Sequence, residues 1–589
     1  MAGEALREIH YALVQSGFER VASYSQDLYR KDIKVGRFLF PVRITIVDSH
    51  FVEKPVVQLE SMPEGLSLNV PHLSCGRVLC YLDDAGVEFD PYSPRGNLEI
   101  VISALYQLLE QYAKKPELLQ EEFRRELPAY WGHEYIAQAY LVSTSSDESV
   151  FQLFQRNDSC GKLLYELVVA SDSDEATYWR SRRNSAGDVN KSGKAILIKL
   201  PDDISFSFDE WPPSGYLGIV TWLDSCGAQR SAQRFIDKTF SAILSANLCF
   251  VIFQIQAMFF GVMLDYTSQP SRKVMREVAT RKGAGRKRRK KRLSMPVKRK
   301  LSLISRMEKY EGGKGFSRCV VFDAKPSTIY SRNLTNKVSL SGMRIALIGC
   351  GTVGGYAANL LYQAGAGSCN GQMLLFDDDI LDTENLGRHY LGAQYLGEKK
   401  AVALAKDIQG LSGSNVDVLG CGYKIRPNEV DELIRKFDLV VDATGEIAFS
   451  SSLCHYMHRA SNSIPVVYGW VDGGGLAARA LLDETDLSRA CYNCLKDRSI
   501  TGEVKERFQL FKKGVEIPVW QSRPCGIGGF LPFSSQASVT VAGLIQSLCL
   551  GLANKSPSPR FRHLALDKRI FDTKSKDINP LSHCPCCQI

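Results

Sequence analysis

Residues 344–354 read RIALIGCGTVG, and this stretch decides the fold of the C-terminal part of the chain. The apolar run predicts a buried strand from Arg344 to Gly349. Gly349, Gly351 and Gly354 then form a GxGxxG turn, with Gly355 behind it and a predicted helix running through Tyr362. Glycines let the backbone turn tightly and approach a phosphate. The helix N-terminus adds free N–H groups and the positive end of a dipole. The spacing predicts a nucleotide-binding turn of Rossmann type. No GxxxxGK[ST] occurs, so the chain is not a P-loop enzyme.

The next predicted strand, Met373 to Phe376, runs into Asp377-Asp378-Asp379. A carboxylate at that point can accept hydrogen bonds from ribose hydroxyls. Three acids in a row exceed what a dinucleotide needs and repel one another without a cation, so ATP with Mg²⁺ is expected. Asn385-Leu386-Gly387-Arg388 follows, then Gly397-Glu398-Lys399-Lys400-Ala401. An Arg and a Lys there suit a triphosphate and the charge that develops at its α-phosphate. Leu439 to Val441 and Val466 to Tyr468 read as later strands, each after a helix-sized interval. The alternation predicts an α/β fold with a mostly parallel sheet and helices on both faces.

Two CxxC knuckles lie far apart in sequence, Cys491/Cys494 and Cys584/Cys587. Four thiolates at tetrahedral distance suit a closed structural Zn²⁺ site. Cys586 is an extra thiol that leaves the fourth ligand open. Cys525 lies among small residues between the knuckles, in RPCGIGGFLP, ahead of a predicted helix from Ser535 to Leu550. Arg523 and a nearby helix would lower the pKa of such a thiol, so Cys525 is a candidate nucleophile.

The first 145 residues predict a separate α+β unit. A helix from Leu6 to Val21 precedes strands Phe38 to Val47 and Val56 to Leu59, and Leu98 to Tyr112 reads as an amphipathic helix. Between them, Pro71-His72 leads through Cys75 to Cys80 at the end of a short strand. On composition alone a lone cysteine there reads as a buried small hydrophobe.

Residues 146–335 are the least informative, with strand-like runs such as Ala195 to Leu200. Residues 239–264 carry no charge and are long enough to span a bilayer. Ser241, Ser245, Asn247, Gln254 and Gln256 interrupt the run, and Phe250 to Ile255 looks like a buried strand, so soluble core is expected. Residues 281–300 hold twelve Lys and Arg and no acid. Without them the net charge of +9 becomes −3, so the basicity belongs to one loop or linker, and neither nucleic acid nor membrane is the expected partner. No aromatic residue is interleaved with the basic run, which counts against a single-strand stacking platform.

At 589 residues, 44% hydrophobic and 23% charged, the chain fits three or four globular domains and excludes a disordered, collagen-like or coiled-coil protein. Seventeen cysteines are far fewer than a secreted disulfide scaffold carries, and the first twenty residues lack the apolar run of a signal peptide. A reducing cytoplasm is expected.

Gly349 through Ala401 resembles the adenylation domain of the ThiF, MoeB and ubiquitin-activating superfamily. That resemblance implies that Asp377 and Asp379 contact ribose and metal, and that Asn385, Arg388 and Lys400 serve the phosphates. Lys400 fits the family spacing better than Lys399. Relatives place a metal-binding acid where this chain has Gly445, so Asp442 or Glu446 would compensate. The segment around Cys525 resembles the crossover loop of activating enzymes. The N-terminal order of elements, with its Pro-His turn and Leu79-Cys80-Tyr81-Leu82, is similar to a bacterial branch of ubiquitin-conjugating enzymes. That similarity implies that Cys80 is the transthiolation nucleophile, that Cys75, inside the turn, is the weaker candidate, and that His72 or backbone N–H groups stabilise the oxyanion.

Taken whole, the chain resembles the fused activating and conjugating proteins of bacterial CBASS antiviral operons. This implies domains at 1–145, 146–335 and 336–589. It also implies a relay in which a protein C-terminus is adenylated, passed to Cys525, then to Cys80, and finally joined to an amine. The implied protein partner is a cGAS/DncV-like nucleotidyltransferase, and the implied assembly is a homodimer. A sulfur-transfer adenylase leaves Cys80 unexplained. An NAD-dependent dehydrogenase leaves Arg388, Lys400 and the knuckles unexplained. A non-catalytic nucleic-acid or membrane adaptor accounts only for the basic run.

Overall fold

A computed structural model describes residues 2–21, 27–66, 70–74, 76–82, 86–114, 116–132, 136, 138–144, 149–157, 160–183, 186–202, 204, 211–281, 295–413, 415–498, 504–515 and 533–587. They fall into two compact units, 1–176 with 185–322, and 177–184 with 323–589. Cys525, Arg523, Cys75 and most of the basic run lie outside the described residues.

The first unit holds two sheets. Strands Glu19–Val21, Asp27–Val35, Phe38–Ile46 and Val56–Leu59 form an antiparallel meander in sequence order. In Phe38–Ile46 every second residue is buried, while Leu39 is exposed. That alternation is the mark of a strand with one wet face. Ile9 and Leu13 of helix Ala2–Gln15 and Leu98, Val101 and Leu105 of helix Pro94–Lys114 share a core with Phe40, Val42 and Ile44. The first helix ends at Gln15, short of the expected Val21. Gly17 takes φ +81° and the Phe18 N–H donates to the Leu13 carbonyl at 2.9 Å, a glycine C-terminal cap that turns the chain into strand Glu19–Val21.

The second sheet is a closed barrel of seven strands, in the order Met258–Asp265, Phe316–Asp323, Gln138–Leu141, Leu163–Ala170, Ser149–Asn157, Ala186–Lys199 and Leu248–Ile255. The uncharged residues 239–264 are divided among three elements: the end of helix Gln229–Ala246 and two antiparallel strands, Leu248–Ile255 and Met258–Asp265. Their apolar content fills the barrel core, as Phe250, Ile252 and Met263 show. The basic run is not all loop: Arg281 ends helix Gln269–Arg281, and Lys298, Arg299 and Lys300 lie in the first turn of helix Val297–Glu311.

The second unit is built on one seven-stranded sheet. Its order is Val418–Cys421, Gln372–Phe376, Arg344–Ile348, Leu439–Asp442, Val466–Asp472, Ala477–Asp483 and Phe561–Ala565. The first five strands are parallel and the last two antiparallel. Leu439–Asp442 is buried at every position, as a central parallel strand must be when helices cover both faces. Among the described residues one helix, Ser535–Ala553, is long and apolar enough to cross a membrane. Here Val541, Ala542, Ile545 and Leu548 pack into the sheet core, and Gln546 Nε2 donates to the Leu360 carbonyl at 2.7 Å.

Candidate active site

Strand register builds the site. Ile348 pairs with Phe376 on one side and with Asp442 on the other. The segments that leave these three strands therefore emerge side by side at the carboxyl edge of the sheet, where doubly wound folds bind ligands. Gly349 and Gly351, Asp377 to Asp379, and Ala443 to Glu446 line a cleft of about 640 Å³ together with Asn385, Arg388 and Lys400.

The three glycines of the turn have three different reasons. Gly349 sits at φ +88°, where a Cβ would meet Thr444 N at 2.8 Å. Gly354 packs its helix so tightly on the turn that a Cβ would lie 1.8 Å from the Gly349 carbonyl. Gly351 has nothing within 4 Å of a built Cβ, and it precedes helix Thr352–Gln363, so its bare backbone faces open space at a helix N-terminus.

The acids divide the work. Asp377 accepts from Cys350 N at 2.6 Å and from Asp379 N at 2.8 Å, which ties the glycine turn to the acidic loop. Asp379 is largely exposed, and its Oδ2 lies 2.9 Å from the nearly buried Lys400 Nζ. A carboxylate oxygen from each of Asp377, Asp378 and Asp379 lies within 4.8 Å of the others, a donor set of hard oxygens that fits Mg²⁺. Asn385 Oδ1 accepts from Asp382 N at 3.1 Å and so caps the short turn Thr383–Asn385. The Arg388 guanidinium stacks 4.8 Å from the centre of the Phe533 ring.

The two acids considered in place of Gly445 are separated. Asp442 lies beneath the cleft floor, with its oxygens accepting from Thr444 N, Thr444 Oγ1 and Ser450 Oγ at 3.0, 2.7 and 2.5 Å. Burial raises its pKa, against the lowering effect of those bonds. Asp442 thus braces the loop from below, and Glu446 is the acid that lines the cleft, paired with Lys424 at 3.2 Å.

Sequence reasoning passed over His389. Its Nδ1 accepts from Leu391 N at 3.0 Å, so its Nε2 carries the proton and donates to the Cys350 carbonyl at 2.8 Å. Burial holds its pKa below the ordinary value and keeps the ring neutral. His389 therefore fixes the glycine turn from behind. Phe449, Trp470 and Phe533, which give the cleft its apolar wall, were also illegible, because each comes from an element remote from the turn.

The thiols of Cys491, Cys494, Cys584 and Cys587 converge in this unit, the first three buried and Cys587 half-buried. Their sulfurs are 3.8 Å (Cys491–Cys494), 3.5 Å (Cys491–Cys584) and 3.6 Å (Cys494–Cys587) apart. Zn²⁺ holding four thiolates at about 2.3 Å spaces them about 3.8 Å apart, so the set fits the ion. Cys586 is not one of the four: its sulfur accepts from Asn493 Nδ2 at 3.1 Å and also approaches Cys454, Cys491 and Cys584.

In the first unit Cys80 does not end a strand: Val78 and Leu79 make only isolated bridges, to Gln58 and Leu73, and Cys80 follows them in extended chain. Leu79 and Tyr81 are buried and Cys80 between them is exposed. The Cys80 N–H donates to the His72 carbonyl at 2.8 Å, so the Pro-His turn lies beside it. His72 is a non-glycine residue at φ +63°, a strained conformation of the kind that surroundings must enforce. Glu126 enforces it by accepting from the His72 backbone N–H at 2.8 Å and pairing with the ring Nδ1 at 2.7 Å. Tyr130 OH donates to the same carboxylate at 2.8 Å.

The hydrogen bond to Glu126, and then its charge, raise the His72 pKa above 6.5. Burial works to raise Glu126, but the bonds from His72 and Tyr130 outweigh it and hold Glu126 below its ordinary value of 4.5. The pair therefore stabilises the fold most fully between about pH 4.5 and 6.5, and loses its contribution as pH rises through the elevated His72 value. In an NMR titration the His72 ring is expected to titrate above 6.5 in the wild type and to fall toward 6.5 in Glu126→Gln. An unchanged midpoint would show that Glu126 does not hold the ring.

Comparison with known proteins finds a different family profile at each end of the chain. The profile of the ThiF family matches residues 330–579, and that of prokaryotic E2 family B matches residues 8–139. Two relatives, both named ATP-dependent ubiquitin transferase-like protein Cap2, align over nearly the whole length. The one from Pseudomonas aeruginosa is 26% identical over 99% of this chain and 99% of its own. The one from Vibrio cholerae is 25% identical, again over 99% of each. Among solved structures, E. coli MccB is 16% identical, with a TM-score of 0.34 over 50% of this chain and 81% of its own.

Proposed function

We propose that this fused prokaryotic-E2 and ThiF chain is an ATP-dependent ligase that activates a protein C-terminus and joins it to an amine. The observation that carries the reading is the convergence of the bare Gly351 turn, Arg388, Lys400 and three aspartates in one cleft, on a chain that also exposes Cys80. Phe449 and Ile425 offer the purine an apolar wall, and Arg388 and Lys400 offer cations to the phosphates. Asp377 to Asp379 would hold Mg²⁺, which offsets charge on the departing pyrophosphate.

In the first step a carboxylate oxygen attacks the α-phosphorus, the bond to pyrophosphate breaks, and an acyl-adenylate forms. A thiolate then attacks the acyl carbon and AMP leaves. Cys525 is the proposed first thiol, and Cys80 receives the acyl group by transthiolation. An amine attacks that thioester, loses a proton and releases the Cys80 thiolate. Each covalent intermediate divides a difficult acyl transfer into easier ones. Family resemblance makes the conjugated protein a cGAS/DncV-like nucleotidyltransferase and the active assembly a homodimer.

The test is an ATP-dependent adduct. The purified chain, mixed with host extract and ATP and separated under denaturing conditions, should carry a protein adduct that thiol reagents remove. ATP turnover with no such adduct would overturn the ligase reading and favour sulfur transfer.

A further inference from the structure

Beside the four-cysteine set lies a second cluster that the proposed reaction does not use. Cys454 and His458 stand one turn apart on helix Ile447–Arg459, so both side chains share a face. Asp483 ends strand Ala477–Asp483, and Cys491 belongs to the first knuckle. One ligand atom from each of these four residues lies within 4.8 Å of the others. The His458 and Asp483 side chains are 0% and 3% exposed, and Cys454 and Cys491 are buried.

The spacings fit a metal polyhedron. A tetrahedral Zn²⁺ with nitrogen and oxygen at about 2.0–2.2 Å and sulfur at about 2.3 Å places nitrogen and oxygen about 3.4 Å apart, and oxygen and sulfur about 3.6 Å apart. His458 Nε2 lies 3.0 and 3.1 Å from the two Asp483 oxygens. Cys454 Sγ lies 3.7 Å from Asp483 Oδ2. Small adjustments would admit the ion. Burying a carboxylate, an imidazole and thiols together is costly unless their charges are compensated, and a divalent cation compensates them.

We infer that Cys454, His458, Asp483 and Cys491 hold a second Zn²⁺, with the Cys491 thiolate shared between the two ions. A thiolate keeps lone pairs enough to bridge. The resulting cluster ties the helix that begins behind Glu446 to the antiparallel strand and to both knuckles, and so fixes the floor of the cleft. The inference adds to the four-cysteine reading and depends on it only through Cys491.

Metal counting tests it. The full chain, purified without chelators and dialysed against metal-free buffer, should hold two Zn²⁺ per chain by mass spectrometry of the elements. Cys454→Ser should hold one. The Co²⁺-substituted chain should lose about half of its visible absorbance in Cys454→Ser and keep the bands of a four-sulfur site. One Zn²⁺ in the wild type, unchanged in Cys454→Ser, would overturn the second site and leave Cys454 and His458 as outer partners of the first. No bound zinc would overturn both sites. The wild-type count decides even if the variant fails to fold.

Discussion

Lys400→Ala is expected to lower ATP–pyrophosphate exchange by about 100-fold to 1000-fold, the usual cost of removing one preorganised group from developing charge. Lys400 opens helix Lys400–Leu411 and is buried to all but 8% of its surface, so its ammonium has little room to wander. Its place is set twice: the Lys400 N–H donates to the Asp379 carbonyl at 2.9 Å, and Nζ pairs with Asp379 Oδ2 at 2.9 Å. A cation held this way costs little reorganisation when charge grows on the α-phosphate. Lys399 is the built-in control. Its Nζ turns away to the Asp378 carbonyl, and it does not line the cleft. Lys399→Ala should leave exchange near wild type. Equal losses in the two variants would show that the effect is general charge and would refute the assignment to Lys400.

The second large effect falls on transfer and spares activation. Cys80→Ala should abolish conjugates entirely and leave pyrophosphate exchange intact, because Cys80 and the cleft belong to different compact units. Cys80→Ser should trap the acyl group as an ester at position 80, which survives thiol reagents where a thioester does not. Mass spectrometry of that adduct would identify the activated protein by its C-terminal peptide. The adduct should vanish when Cys80→Ser is combined with Lys400→Ala or with Cys525→Ala. A position 80 that stays bare while exchange proceeds would remove the conjugating role.

Much of this architecture was legible because it is local. The glycine turn, its flanking strand and helix, and the acids after Phe376 follow one another within a short span, and each obeys a rule of spacing. The parallel strands read as apolar runs for the same reason, since Leu439–Asp442 is buried throughout. The antiparallel strands Ala477–Asp483 and Phe561–Ala565 were not anticipated, because pairing between segments so distant leaves no local mark. Residues 239–264 were ambiguous for a related reason. Barrel core and bilayer ask for the same apolar side chains, and only the pairing of Leu248–Ile255 with Met258–Asp265 distinguishes them.

By itself the sequence determined which chemistry is available: a phosphate-binding turn, acids for a cation, two knuckles of thiols, and a cysteine after a Pro-His turn. Tertiary structure decided which of those groups face a ligand. Asp442 and Glu446 stand four residues apart, yet one braces the floor and the other lines the cleft. Cys586 and Cys587 are neighbours, yet only Cys587 joins the four-thiol set. His389 gained its place only when strand order brought the Cys350 carbonyl within 2.8 Å. The physical reason is common to all three. Hydrogen bonding and burial depend on partners supplied from elsewhere in the chain, and those partners are absent until the sheet has set its register.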